Sequence, residues 1–160
     1  WGGICCSQPP CVAVSLREAT HTYSAIVARQ AFTVNIPSAR NVQALDYFGI
    51  KSGSKVDKFA ATGLTAVKSE LVDAPYIDEF PLNLECRVLH TLKIGLHTQF
   101  VGEIIDVKAD AEVFDADGAL DLGKLAPFTY APEVREYRVL GESLGKAFSI
   151  GRGIDSSNEA

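Results

Sequence analysis

"LNLECRVLHTLKIGLHTQFVGEIIDVKAD", residues 82–110, decides the fold. In its first half Leu84, Cys86, Val88, His90, Leu92 and Ile94 fall on one face. Asn83, Glu85, Arg87, Thr91 and Lys93 fall on the other. A period of two is the pattern of a half-buried β-strand. Gly95 marks a turn, and residues 97–110 return as the partner strand. The returning strand is apolar on both sides, with Phe100 and Ile104 on one and Val101, Ile105 and Val107 on the other. Such a strand needs two covers. A barrel interior supplies one and a partner subunit the other. His90, placed among leucine and isoleucine, reads as a core histidine.

Working outward, residues 10–17 (PCVAVSLR) and 31–37 (AFTVNIP) are rich in small, β-branched and aromatic residues and read as strands, the second stopped by Pro37. Between them Tyr23, Ile26 and Val27 recur at helical spacing after Thr20 and Thr22, which are candidate N-caps. Residues 39–49 and 56–63 read as short helices ended by Gly49 and Gly63. Residues 64–81 mix a strand-like stretch with a turn at Ala74-Pro75. DADG at 115–118 is a turn, and residues 128–141 read as one proline-containing edge strand. The sum is a mainly β chain: an antiparallel β-barrel, closed or nearly closed, with short inserted helices. One domain over residues 1–153 and a C-terminal tail over 154–160 account for its length.

Hydrophobic residues make up 47% of the 160 and charged residues 22%, a globular composition. A net charge of -5 argues against a general nucleic-acid or membrane-surface binder. No apolar run reaches the roughly 20 residues that span a bilayer. The chain begins at Trp1 and contains no methionine, which predicts an upstream segment. Adjacent Cys5 and Cys6, with Cys11 and Cys86, fit neither a CxxC pair nor a zinc knuckle. They read as buried or half-buried free thiols in a reducing cytoplasm.

Two polar concentrations are candidate sites. FGIKSGSKVDKFAATG, residues 48–63, has the composition of a phosphate loop but not its order. GxxxxGK[ST] must follow a strand and open a helix, whereas Gly49 and Gly53 are four apart and Val56 follows Lys55. Lys58 remains, near a helix start where backbone N–H groups and a cation meet an anion; a solvated surface lysine is the simpler reading. In SLREATHTY, residues 15–23, Arg17, Thr20, His21 and Thr22 lie between a strand end and a helix start, as a phosphate cradle or as ordinary caps. His97 sits beside the Gly95 turn, a common place for a site residue. No GxGxxG, GxSxG or metal-ligand spacing occurs.

Six segments in order resemble one family: WGGICCSQPPCVAVSLREATHTYSAI, FTVNIPS, DYFGIKSGSKVDKF, PLNLECRV, GLHTQFVGEI and LGKAFSIG. They are similar to the flavoredoxin branch of the flavin reductase-like, FMN-binding split-barrel family. The resemblance implies a Greek-key antiparallel split β-barrel in a homodimer, with FMN held noncovalently at the subunit interface. It implies flavin contacts by Trp1, Thr22, Lys58 and His97, with Tyr130 as the aromatic residue bordering the cofactor. Ser15 and Arg17 join them from their place at the strand end. An asparagine-containing segment that precedes the tryptophan in relatives has no counterpart in these residues. The activity implied is NAD(P)H:flavin oxidoreductase chemistry or flavoredoxin-like electron transfer, with NADH, NADPH or a protein as electron donor and no metal. A flavin-storage protein or a structural dimer on the same barrel are the alternatives.

Overall fold

The computed structural model describes residues 2–157, which form two compact units, one up to Pro127 and one from Phe128 onward. In the first unit lie β1 (Gly2–Ser7), β2 (Pro10–Arg17), α1 (His21–Arg29), β3 (Ala31–Ile36), α2 (Val42–Ile50) and α3 (Lys58–Thr62). There follow β4 (Ala66–Lys68), β5 (Pro75–Ile77), β6 (Leu82–Ile94), β7 (His97–Ala109) and α4 (Leu122–Leu125). The second unit holds the hairpin of β8 (Phe128–Ala131) and β9 (Glu136–Val139), and a 3₁₀ helix over Ile150–Ser157.

Five antiparallel strands form one sheet in the order β1-β2-β7-β6-β3. Consecutive strands β2 and β3 thus flank the β6–β7 hairpin on opposite sides, a Greek-key crossing made through α1. β1 and β3 are the two ends of the ladder, so the barrel is split. The core lies on one sheet face, where Val12, Phe32, Cys86 and Phe100 meet Ile26 of α1. Tyr23 of α1 sets its ring edge-on to Phe100 at 5.6 Å. Side chains dock β5 onto this frame. Asn35 accepts from the Ile77 N–H at 2.9 Å, Thr33 donates to the Pro75 carbonyl at 2.6 Å, and Asn83 donates to the Phe80 carbonyl at 3.0 Å.

The strict alternation expected of β6 fails at two places. Val88 pairs with Gly102 but His90 pairs with Val101, so Leu89 is an extra residue on β6. A β-bulge of this kind moves everything beyond it to the other face. His90 therefore leaves the core face and is exposed, not the core histidine expected, and Leu92 and Ile94 go with it, 49% and 57% exposed. At the other end, Asn83 and Glu85 are buried rather than solvated. Their face is covered by the chain around β5, and Lys108 reaches the carboxylate of Glu85 at 3.4 Å.

Other expectations are corrected by local geometry. Gly49 lies inside α2, which ends at an extended Lys51, so it is not a cap; Gly63, at φ 69°, caps α3 as expected. Thr20 is the N-cap residue of α1 but makes no capping bond; its hydroxyl donates to the Arg17 carbonyl at 2.9 Å instead. Residues 128–141 are two strands, because Pro132 lies in the turn between β8 and β9, where Arg135 is left-handed at φ 55°. Cys11 and Cys86 are buried, but Cys5 and Cys6 are exposed because β1 is an edge strand with no cover.

Candidate functional site

The two polar stretches singled out in the sequence face each other. Residues from the β2–α1 junction (Leu16, Ala19, Thr20, His21, Thr22) and from the continuous run 48–59 line one cavity of about 1020 Å³. That is at the upper end of small-molecule sites, about 300–1,000 Å³. Asn35, Pro75 and Ile77 supply the floor. The approach is close: a Cβ placed on Gly53 would stand 3.0 Å from Cδ2 of His21.

The lining has a charge of its own. Lys51, Lys55 and Lys58 converge there with Asp57 as the one carboxylate, within a chain of net charge -5. Asp57 is already engaged as the N-cap of α3, accepting from the Ala60 N–H at 3.0 Å. Removing that cap costs about 1 kcal/mol. Asp57→Ala is accordingly expected to lower the urea midpoint modestly and to leave the fold's circular dichroism unchanged.

Lys58 is the first residue of α3. Its ammonium donates to the Phe48 carbonyl at 2.6 Å and lies 5.3 Å from the centroid of the Phe48 ring. Phe59 meets Phe48 edge-on at 5.4 Å, which fixes α3 against α2. Burial by these rings pushes the Lys58 ammonium below its ordinary value. An ammonium carries three donors, and the bond to the Phe48 carbonyl uses one of them. Thr22 lines the same cavity from the first turn of α1, where the Tyr23 N–H already donates to the Thr20 carbonyl at 3.2 Å.

Of the expected site residues, this cavity unites Thr22 and Lys58. Arg17 lines a smaller hollow of about 250 Å³ with Glu18, Lys93 and Leu96, which adjoins the first through the shared Ala19. His97 stands opposite Arg17 across the β2–β7 ladder, and Ser15 opposite Gln99. By strand alternation these three share the face away from the Phe100 core. Tyr130 belongs to the second unit, where its ring lies 5.4 Å from that of Tyr137. Trp1 lies outside the described residues. Phe48, Ser52 and Ser54 of the lining were not singled out individually. The glycine- and serine-rich composition of their loop was the available signal.

A family model described as a flavin reductase like domain matches residues 1–138. Flavoredoxin of Desulfovibrio vulgaris (Miyazaki F) superposes with a TM-score of 0.89 at 54% identity, over 94% of this chain and 81% of that one. Flavoredoxin from Methanosarcina acetivorans gives 0.90 at 32% identity, over 96% and 81%. A split-barrel-domain protein from Shewanella frigidimarina gives 0.78 at 21% identity, over 91% and 73%, a likeness of fold alone. The chain spans 56%, 60% and 66% of the length of three curated relatives.

Proposed function

This chain belongs to the flavin reductase-like family, and on that premise we propose that it is a redox protein that binds FMN noncovalently in the cavity between residues 16–22 and 48–59. The observation that carries the reading is the convergence of Thr22 and Lys58, from stretches far apart in sequence, on one cavity with a cationic lining. A phosphate monoester fits that donor set: ammonium groups, a threonine hydroxyl and the N-terminal end of α1. The bound flavin would supply the hydride and electron chemistry.

In this reading the chain's own residues hold and orient. Lys58 and Thr22 bind the phosphate end, while Leu16, Phe48 and Ile77 give apolar wall to the ring system. Ser15, Arg17 and His97 offer donors on the opposite sheet face, and Trp1 and Tyr130 are the aromatic borders implied by the family resemblance. Residues on two faces of one sheet serve one cofactor most simply when two subunits share it. The exposed Leu92, Ile94 and Leu96 at the β6–β7 tip support a homodimer. Residues 1–153 act as one domain, a reading supported by a family match that runs across the Pro127 boundary. The electron donor is NADH, NADPH or a redox protein. The site of action is the cytoplasm, with four free cysteines in keeping.

Titrating the purified protein with FMN tests this. Quenching of FMN fluorescence with a saturable flavin absorbance spectrum is the expected result, followed by anaerobic bleaching on adding NADH, NADPH or a reduced redox protein. Protein that stays colourless and leaves FMN fluorescence unchanged would sink the proposal. Binding without bleaching by any donor would leave only a storage role.

A further inference from the structure

Three of the four cysteines lie within the β1–β2 hairpin. Cys6 and Cys11 are direct cross-strand partners, one step from the two-residue turn at Gln8 and Pro9. Opposed residues in an antiparallel pair have Cα atoms about 4.5–5.5 Å apart. A disulfide spans Cα separations of about 4.4–6.8 Å. The two thiols differ in exposure: Cys6 is open to solvent, whereas Cys11 is 3% exposed with its Sγ 3.4 Å from the Pro9 carbonyl. Burial, then the neighbouring Cys6 and Cys5 thiols, push the Cys11 thiol above its ordinary value, so it rests protonated. Cys5 is different. The register slips between Ile4 and Cys6, leaving Cys5 as the extra residue of a bulge with no partner in the ladder. Among the described residues no group of three or more His, Cys, Asp or Glu is arranged to hold a metal.

We infer that Cys6 and Cys11 are a redox-active dithiol that closes reversibly to a cross-strand disulfide when the protein meets a low-molecular-weight disulfide. The exposed Cys6 thiolate attacks one sulfur of the oxidant, forming a mixed disulfide and expelling one thiolate. Cys11 then loses its proton and attacks the Cys6 sulfur, forming the Cys6–Cys11 bond and expelling the second thiolate. Two cysteine thiols are oxidised, and one small disulfide is reduced to two thiols that carry the two protons. A labile bond on an exposed edge is of the regulatory kind rather than the structural kind. β1 pairs only with β2 in the sheet, so closure ties the edge strand to its one neighbour.

The test is alkylation counting by mass spectrometry on the folded full chain after incubation with oxidised glutathione. Wild type is expected to fall from four alkylatable thiols to two once denatured, with loss of two hydrogens from the segment 1–17, reversed by dithiothreitol. Cys5→Ser, at an exposed position, should still close. Cys6→Ser, also exposed, should not. Four thiols surviving in wild type, glutathione adducts without closure, or closure that persists in Cys6→Ser would each overturn the assignment. None of these outcomes bears on FMN titration, so the flavin reading stands or falls separately.

Discussion

Gly102→Ala should cost about 3 kcal/mol, the upper part of the range for overpacking a filled core. Gly102 is buried in the middle of β7. A Cβ there would stand 2.6 Å from both Cε1 and Cζ of Phe32 and 3.0 Å from Cβ of Cys86. The Phe32 ring is 5% exposed and packed with Val12, Ile26 and Phe100, so it has little room to yield. In urea the midpoint should fall at unchanged m. Relief comes from the ring side: Phe32→Leu combined with Gly102→Ala should cost clearly less than the sum of the two alone, because residues in contact are not additive. A midpoint equal to that of wild type would show that the ring yields freely and that the close approach carries no energy.

Lys58→Met should weaken FMN binding roughly 10- to 100-fold, the loss of one hydrogen bond to a charged group at about 1.5–3 kcal/mol. Methionine keeps an apolar stem against the Phe48 ring but removes the charge together with the hydrogen bond to the Phe48 carbonyl, so an unchanged urea midpoint is the control that separates binding from packing. The pH profile gives a second readout. Burial lowers the Lys58 ammonium from 10.5. The charged form binds phosphate, so wild-type affinity is full below that lowered value and is lost as pH rises through it. Lys58→Met should lack this limb. In the ligand-free protein the sign is opposite, because burial disfavours the charged lysine; its contribution to stability improves as pH rises through the folded value toward 10.5. Unchanged affinity with an unchanged alkaline limb would remove Lys58 from the site.

The core strands were legible because burial imposes a period that composition can display; the uncovered edge strand β1 was not read as a strand. β2, β3 and the β6–β7 hairpin lie within a residue or so of their expected bounds. The bulge at Leu89 was not legible, since an extra leucine among leucines changes no local preference, yet it sends His90 and the outer half of β6 to the opposite face. Gly102 did carry a signal: an isolated glycine within a strand marks a close approach, and here the approaching group is the Phe32 ring. The site was legible only in halves. Residues 15–23 and 48–63 each looked like a phosphate cradle with an ordinary alternative, and neither could resolve the choice alone. Their juxtaposition depends on how α1 and α2 pack against the sheet, which no local pattern encodes. The family resemblance supplied Lys58 and Thr22 without the cavity that joins them.

The half-paired course of β6 has a dynamic consequence. β3 accompanies it only as far as Arg87, and the Val88 N–H still donates to the Gln30 carbonyl at 2.9 Å; beyond that, among the described residues, β6 pairs in the sheet with β7 alone. Its last residues, Leu89 through Ile94, are all exposed. A single continuous strand thereby spans two regimes of opening. Around Cys86, amide protons are released only when the whole unit unfolds. In the lone protomer, amides near the tip, on the side vacated by β3, should exchange through local fraying, and dimerisation through the exposed leucines there should slow that exchange. Rigidity in this protein ends partway along an element rather than at its boundary.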